Sequence, residues 1–217
     1  VTKLKKFMSV MNSAITLSIN DNGPIDSWCL TNTVFDEETG SNTPLSNEGQ
    51  EEFMKRYILP YLKYSYVCLQ TDTNCKSYDR YSLDGTKFSG FTDRIILADG
   101  STVSGFVISN SSCLLTAGES KALQNVCGQI FFDINGARKP PNKTGVDVFL
   151  FYFTKYGVIP MGTEMENNDN YSFENSCSLR TVNRLNGYGC TAWVIYNENM
   201  DYLHCKDLSW NGKKKCK

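Results

Sequence analysis

The sequence predicts an α+β fold, in which an N-terminal amphipathic helix packs on an antiparallel β-sheet within one domain, residues 1–217. Three observations lead to this prediction. Helical periodicity dominates the N-terminal third, strand-like segments follow it, and nine cysteines are spread along the chain. Helices followed by a run of strands are typical of α+β proteins rather than of alternating βαβ units.

The first 22 residues have the apolar spacing of an amphipathic helix. The apolar positions are Leu4, Phe7, Met8, Met11, Ile15 and Ile19. The polar positions of the opposite face are Lys5, Ser9, Asn12, Thr16 and Asn20. The apolar stripe is therefore predicted to face the core. Asn22 and Gly23 supply a left-handed cap, and Pro24 prevents the helix from continuing.

The start of this helix lacks the usual N-terminal signals. Lys3, Lys5 and Lys6 lie in its first turns, where the helix dipole disfavours cations, and no capping box precedes them. We interpret the helix as the continuation of one that begins upstream of Val1, and we expect about 20 further apolar residues there, enough to cross a bilayer. The alternative is that Thr2 caps the helix weakly and the lysines are solvated.

Residues 23–46 are rich in turn-forming residues and are predicted to form a loop, in which Trp28 is a candidate packing anchor. A second helix is predicted near residues 47–63, with Asn47 as its cap. Its apolar face comprises Phe53, Met54, Tyr57, Ile58, Tyr61 and Leu62. Pro60 is expected to kink or end this helix.

From residue 64 onward the apolar period changes to two, which predicts strands. The strand-like segments are residues 65–69, 94–108 with a turn at Asp99-Gly100, 129–134, 146–153, 157–162 and 191–196. Because turn residues separate these segments, neighbouring strands are predicted to pair in antiparallel fashion. A helical window over residues 117–127 is predicted to interrupt them, since its residues have high helix propensity.

Nine cysteines are many for a cytosolic protein, and they lack the CxxC pairs of zinc sites. Eight of them fall into neighbouring pairs: Cys68/Cys75, Cys113/Cys127, Cys177/Cys190 and Cys205/Cys216. Neighbour pairing is the simplest of the connectivities that the sequence allows, and it leaves Cys29 unpaired. The cysteines therefore predict disulfide-stapled loops and an oxidising, extracytoplasmic compartment.

Charge and motif content argue against nucleic-acid binding and against catalysis. The 22 basic and 23 acidic residues nearly cancel, which gives no electrostatic footprint for nucleic acid. The sequence has one histidine, His204, and no HExxH, GxSxG or GxxxxGK[ST] motif. We interpret Cys190 as half of a disulfide and His204 as a surface side chain, rather than as a nucleophile and its base. The protein is predicted not to be an enzyme.

The densest polar segment is DINGARKPPNKTGVD, residues 133–147. Its oxygen donors are Asp133, Asn135, Asn142 and Asp147, and no His or Cys lies among them. Their spacing does not fit an EF-hand. We predict a mainly structural loop held by Asx turns, in which any cation bound by Asp133, Asn135 and Asp147 is Ca²⁺ rather than a transition metal. No other cofactor is predicted.

Five stretches, taken in order, carry a family resemblance: VTKLKKFMSVMNSAITLSINDNG, FMKRYILPYLK, LADGS, DINGARKPPNKTGVDVFLF and GYGCTAWVIY. Together they resemble bacterial type IV pilin-like proteins. More narrowly, they are similar to pseudopilin-like proteins of type II secretion that carry a prepilin-type N-terminal methylation segment. The hydrophobic N-terminal segment of that family, with its prepilin-peptidase processing site, is absent from this sequence.

The resemblance implies a soluble pilin head whose helix lies on an antiparallel sheet, anchored in the inner membrane before it assembles with other pilin or pseudopilin subunits. It implies no catalytic residue. We therefore predict an extracytoplasmic structural subunit of a type IV pilus-like or type II secretion pseudopilus filament. The alternative is a secreted, disulfide-rich binding or adhesion domain that recognises a host or carbohydrate surface, with tyrosine and asparagine contacts from residues 166–176.

Overall fold

The chain is a mixed α+β protein. A computed structural model shows an antiparallel sheet with an N-terminal helix against it, a few further helices and four disulfide bonds. The structure describes residues 1–28, 33–36, 41–44, 51–69, 72, 74–91, 93–108, 112–179, 182 and 184–216. The predicted α+β class is confirmed, while Cys29 and the predicted cap Asn47 lie outside the described residues.

The first helix, α1 (Thr2–Asn22), forms where the apolar period predicts it. Of the predicted stripe, the buried members are Leu4, Phe7, Met11 and Ile15, and the half-buried ones are Met8 and Ile19. Ala14 and Ser18 are also buried and widen the contact face beyond the predicted stripe. The helix ends at Asn22, as predicted, and the Gly23 N–H bonds the Ile19 carbonyl oxygen at 2.9 Å. Gly23 has the positive φ expected of the cap, 78°, but its ψ of −176° lies outside the left-handed helical region.

The helical position of Asn12 predicts that its side chain is solvated on the polar face of α1. The structure shows instead that this side chain is bonded to the main sheet. Its Oδ1 accepts from the Val158 N–H at 2.8 Å, and its Nδ2 donates to the Val158 carbonyl oxygen at 3.1 Å. Val158 lies in the last strand of the main sheet, at the sheet edge. The prediction was wrong because the helix crosses that edge, and the amide of Asn12 satisfies backbone groups that an edge strand leaves unpaired.

Ten strands form three antiparallel sheets in the described part of the chain. They are β1 (Thr33–Asp36), β2 (Ser41–Pro44), β3 (Tyr64–Cys68), β4 (Asp79–Tyr81), β5 (Lys87–Ser89), β6 (Arg94–Leu97), β7 (Thr102–Ile108), β8 (Val126–Asp133), β9 (Val148–Thr154) and β10 (Gly157–Pro160). The main sheet has the order β10-β9-β8-β7-β6-β3, so β6 to β10 form a meander and β3 adds to its other edge. The hairpins β1–β2 and β4–β5 form separate two-stranded sheets.

Residues 23–46, predicted as a loop, therefore contain β1 and β2. The prediction was wrong there because strands of four residues are too short to show a clear apolar period.

The central strands β8 and β9 carry buried side chains on both faces of the main sheet. On the α1 face, the Phe7 ring stacks on Phe132 at 4.0 Å and meets Phe151 edge to face at 5.0 Å. On the opposite face, Phe131 and Tyr152 belong to a second buried cluster. Since both faces are covered, every residue of these strands except the half-buried Gln129 is buried, and burial does not alternate along them.

The second predicted helix is helical over residues 51–61 but is not a regular α-helix. Residues 51–53 are α-helical, Met54–Ile58 form a π-helical turn and Leu59–Tyr61 form a 3₁₀ turn. Pro60 lies in the final turn, as expected of a residue that ends the helix. Trp28 stacks on Tyr57 with ring centroids 4.6 Å apart, so it is the predicted packing anchor.

Two short helices lie near the C-terminus, α2 (Phe173–Ser176) and α3 (Cys190–Asn197), with Phe173 stacked on Trp193 at 4.0 Å. The prediction of a strand over residues 191–196 was therefore wrong. The first six residues of α3 are all buried, and a helix that is buried on every side shows no amphipathic period.

The prediction of a helix over residues 117–127 was also wrong. Residues 121–124 form turns, and Val126 already begins β8. Ala117 and Leu123 pack into the cluster on the sheet face away from α1. Packing of these two side chains, together with the strand pairing of Val126, outweighs the helix propensity of the segment.

All four predicted disulfides are present: Cys68–Cys75, Cys113–Cys127, Cys177–Cys190 and Cys205–Cys216. Because disulfides persist in oxidising compartments, they indicate an extracytoplasmic or secreted protein. Within the described residues, no helix combines the length and apolarity that crossing a membrane requires.

Candidate functional site

The polar segment of residues 133–147 connects β8 to β9. Asp133 is the last residue of β8 and pairs with Val148, the first residue of β9. The Ile134 N–H donates to the Asp147 carbonyl oxygen at 2.9 Å, so the ladder continues one step into the connection. The hairpin therefore brings Asp133 and Asp147 close together, although they are far apart in sequence.

The Asp147 carboxylate holds this loop closed. Its Oδ1 accepts from the Lys143 N–H at 2.6 Å. Its Oδ2 accepts from the Asn142 N–H at 3.0 Å and from Asn135 Nδ2 at 3.2 Å. Burial raises the pKa of Asp147, and these donors oppose the shift. Asp147 thus anchors the loop through backbone hydrogen bonds of the predicted kind.

Asp133 is the most deeply buried acid of the loop, with 1% of its surface exposed. Its Oδ1 accepts from the Asn135 N–H at 3.1 Å and from the Gly136 N–H at 2.8 Å, which forms the predicted Asx turn. Burial raises the pKa of Asp133 to about 6, and Asp147 acts in the same direction. The positive charge of Lys3 acts in the opposite direction and lowers the pKa of Asp133. Lys3 Nζ lies nearby and donates to the Ile134 carbonyl oxygen at 2.6 Å.

Three buried oxygens of the loop accept no hydrogen bond from the described residues: Asp133 Oδ2, Asn135 Oδ1 and Asn142 Oδ1. The amide nitrogens beside two of them are engaged, since Asn135 Nδ2 donates to Asp147 and Asn142 Nδ2 donates to the Asp79 carbonyl oxygen at 3.3 Å. Over the described residues, no three His, Cys, Asp or Glu side chains are grouped to hold a metal ion. A ligand of this loop would have to bind through one free carboxylate oxygen and amide oxygens.

A groove runs along α1, between the helix and the β6–β7 turn, with a volume of about 550 Å³. Its apolar wall includes Val10, Ala14 and Leu17, and Leu17 is 53% exposed. Lys3, Lys6 and Lys63 also line it. The predicted apolar stripe does not include this groove, although Val10 and Leu17 lie seven residues apart on one side of the helix.

Three exposed apolar side chains, Leu114, Leu115 and Met165, lie in two paired segments and are here called the apolar knob. The two segments that carry it are joined by the hydrogen bond from the Glu119 N–H to the Met165 carbonyl oxygen, 3.1 Å. Ala117, from the same segment, packs in the cluster on the sheet face away from α1. The knob and the groove are therefore separate surfaces, because none of the residues that line the groove belongs to the knob.

The pair Tyr152 and Glu166 is buried on that same sheet face, and no sequence pattern predicted it. The Tyr152 hydroxyl donates to Glu166 Oε1, and the Gly162 N–H donates to Glu166 Oε2 at 2.9 Å. Burial raises the pKa of Glu166 to about 7, although both hydrogen bonds lower it. Glu166 therefore titrates in the physiological range.

The stability of the protein should fall as the pH rises from about 4.5 to about 7. Because the folded-state pKa of Glu166 lies above its ordinary value of 4.5, the folded protein holds a proton that the unfolded chain releases in this window. Urea unfolding at stepped pH should show this decline, and Glu166→Gln should reduce it. Glu164→Gln, at an exposed neighbour, is the control and should leave the slope unchanged. An unchanged slope in Glu166→Gln would contradict the assignment.

The conceivable nucleophile pair of Cys190 and His204 does not form. Cys190 is fully buried and bonded to Cys177, and His204 is exposed. Cys190 is therefore half of a disulfide and His204 a surface side chain, as the sequence analysis interprets them.

A protein family matches this chain. It is described as a family of unknown function, DUF6613, and the match covers residues 1–198, which include α1, the whole main sheet and the β8–β9 connection. No curated protein and no solved structure matches the chain. Since the match covers most of the sequence, the protein belongs to the DUF6613 family.

Proposed function

We propose that the protein is a structural subunit of an extracytoplasmic filament, of the type IV pilus or type II secretion pseudopilus kind. We further propose that its copies associate head to tail, with the groove beside α1 receiving the apolar knob of the next copy. The observation that carries this proposal is the groove, whose apolar wall at Val10 and Leu17 stays exposed. The five stretches that resemble pilin-like proteins, and the four disulfides, support it.

The two surfaces are complementary in their apolar character. Leu17 is 53% exposed in the groove wall, and Met165 is 57% exposed in the knob. Next to Leu17, a shallow depression on α1 is lined by Ser9, Asn12, Ser13 and Thr16. The small side chains of Ser9, Ser13 and Thr16 allow another chain to approach the helix closely. Burying both surfaces against each other would remove them from water.

The net charges around the two surfaces are opposite. The groove is lined by Lys3, Lys6 and Lys63 and by one acid, Asp99, which pairs with Lys6 at 3.4 Å. The two segments that carry the knob expose Glu119 and Glu164 and one cation, Lys121. Opposite charges around matching apolar patches favour association of the correct surfaces and oppose groove-to-groove pairing. The charge pattern therefore supports a second copy of this chain as the occupant of the groove.

The location of the two surfaces also supports an extended assembly. The groove lies beside α1, and the knob is carried by two other segments that share no residue with the groove. An interface between two different patches of identical subunits repeats in one direction, and it forms open filaments if the rotation does not close a ring. The proposed contact has this head-to-tail character.

The test is sedimentation velocity over a series of protein concentrations at low salt. The sedimentation coefficient should rise with concentration, and Leu17→Asp should abolish the rise, because it places a charge in the apolar wall of the groove. Val182→Asp, at a position that is 91% exposed and outside both surfaces, is the matched control and should associate normally.

Charge reversal provides the second arm of this test. Lys63→Glu should weaken association, and the double variant Lys63→Glu/Glu164→Lys should restore it, because the two charges exchange places across the contact. A protein that remains monomeric at every concentration would overturn the head-to-tail proposal and favour the secreted binding domain instead. Association that Leu17→Asp leaves intact would overturn the groove as its site.

A further inference from the structure

The β8–β9 connection contains buried oxygen atoms that accept no hydrogen bond from the described residues. Asp133 Oδ2, Asn135 Oδ1 and Asn142 Oδ1 are buried acceptors with no donor among those residues. Asp133 and Asn142 are both more than nine-tenths buried. A buried acceptor without a partner costs about 1–3 kcal/mol, and more when it is charged. Three of them within one short connection point to a bound group rather than to chance.

The hydrogen bonds of the loop orient the two amides. Asn135 Nδ2 is held by Asp147 Oδ2 at 3.2 Å, and Asn142 Nδ2 is held by the Asp79 carbonyl oxygen at 3.3 Å. Each amide nitrogen thus has an acceptor, so each Oδ1 is the atom left to bind a ligand. The Asn142 backbone N–H and Asn135 Nδ2 donate to the same atom, Asp147 Oδ2. The two asparagines are therefore neighbours at one carboxylate.

The donor set identifies the class of ligand. One free carboxylate oxygen and two amide oxygens, with no nitrogen or sulfur donor, suit a hard cation rather than a transition metal. Ca²⁺ accepts amide carbonyls and irregular geometry, whereas Mg²⁺ requires a near-ideal octahedron. Asp147 adds a second negative charge nearby, while its own oxygens are already engaged by Lys143, Asn142 and Asn135.

We propose that the β8–β9 connection binds a calcium ion through Asp133 Oδ2, Asn135 Oδ1 and Asn142 Oδ1. Asp147 acts behind them as the carboxylate that orients the ligands. Backbone carbonyls and water complete the coordination shell, as Ca²⁺ sites generally require. The ion links the ends of β8 and β9, and it lies near the first turn of α1, where Lys3 contacts Ile134.

The experiment is isothermal titration calorimetry with CaCl₂ on the chelator-treated protein, together with thermal melts in excess Ca²⁺ and in EGTA. Ca²⁺ should bind at one site and raise the melting temperature, because a ligand of the folded state alone must do so. MgCl₂ should bind at least tenfold more weakly. Asp133→Asn keeps the Asx acceptor but removes the free carboxylate oxygen, and it should abolish both signals.

Two variants separate a calcium site from a merely structural loop. Asp84→Asn makes the same substitution in another Asx turn, where Asp84 Oδ1 accepts from the Thr86 N–H at 2.9 Å, and it should bind Ca²⁺ normally. Asn135→Asp adds a negative charge beside Asp133 and Asp147, so it should lower the melting temperature in EGTA and enlarge the rise on adding Ca²⁺. Superimposable wild-type melts without binding heat would overturn the proposal, as would a Ca²⁺ response that persists in Asp133→Asn.

Discussion

Replacing Met11 by Asp should lower the free energy of unfolding by about 4 kcal/mol, enough to unfold a marginally stable domain. Met11 is 0% exposed and lies in the centre of the core stripe of α1, between Phe7 and Ile15. A carboxylate at this position would be buried in an apolar cluster without a described cation beside it. Desolvation of that charge, and not the loss of the thioether alone, sets the size of the effect.

Ser9→Asp is the matched control for Met11→Asp, since Ser9 is exposed on the same helix. It should change the free energy of unfolding by less than about 0.5 kcal/mol in urea titrations. Asn12 is unsuitable as a control because its side chain makes two hydrogen bonds to the Val158 backbone. Equal losses in Met11→Asp and Ser9→Asp would mean that the buried face of α1 is assigned incorrectly.

The sequence predicts the fold well where one face of an element is solvated. The stripe of α1 follows a helical period because its outer face meets water, and that period identifies Leu4, Phe7 and Met11 as core residues. The prediction fails where an element is buried on every side. Trp193 and Val194 are buried in α3, so the segment shows only continuous apolar character, and β-branched and aromatic content favours a strand.

The candidate sites differ in the same way. Asp133 and Asp147 flank a hairpin whose strands the sequence predicts, so their proximity follows from local pairing. Which carboxylate anchors the loop and which keeps a free oxygen depends on backbone geometry that residue types do not specify. The shape of the groove beside α1 and the burial of Glu166 depend on contacts between distant segments. A local sequence pattern does not predict such contacts.

Removing the Cys113–Cys127 disulfide should cost more stability than removing Cys205–Cys216, although the two loops are similar in length. The cysteines are 14 residues apart in the first pair and 11 in the second. Chain entropy alone therefore predicts a loss of about 3 kcal/mol for each double Cys→Ala variant. The pairs differ in burial, because Cys113 and Cys127 are fully buried in the core, whereas Cys205 and Cys216 are partly exposed.

Truncating the buried pair to alanine also removes two sulfur atoms from a packed core, which should add about 1–2 kcal/mol to the loss. Cys127 lies within β8, so the cavity would open beside the central strands of the main sheet. Guanidinium unfolding of both double variants under non-reducing conditions measures the difference. Equal losses would show that loop closure alone accounts for the stabilisation, and a larger loss for Cys205–Cys216 would contradict the role assigned to packing.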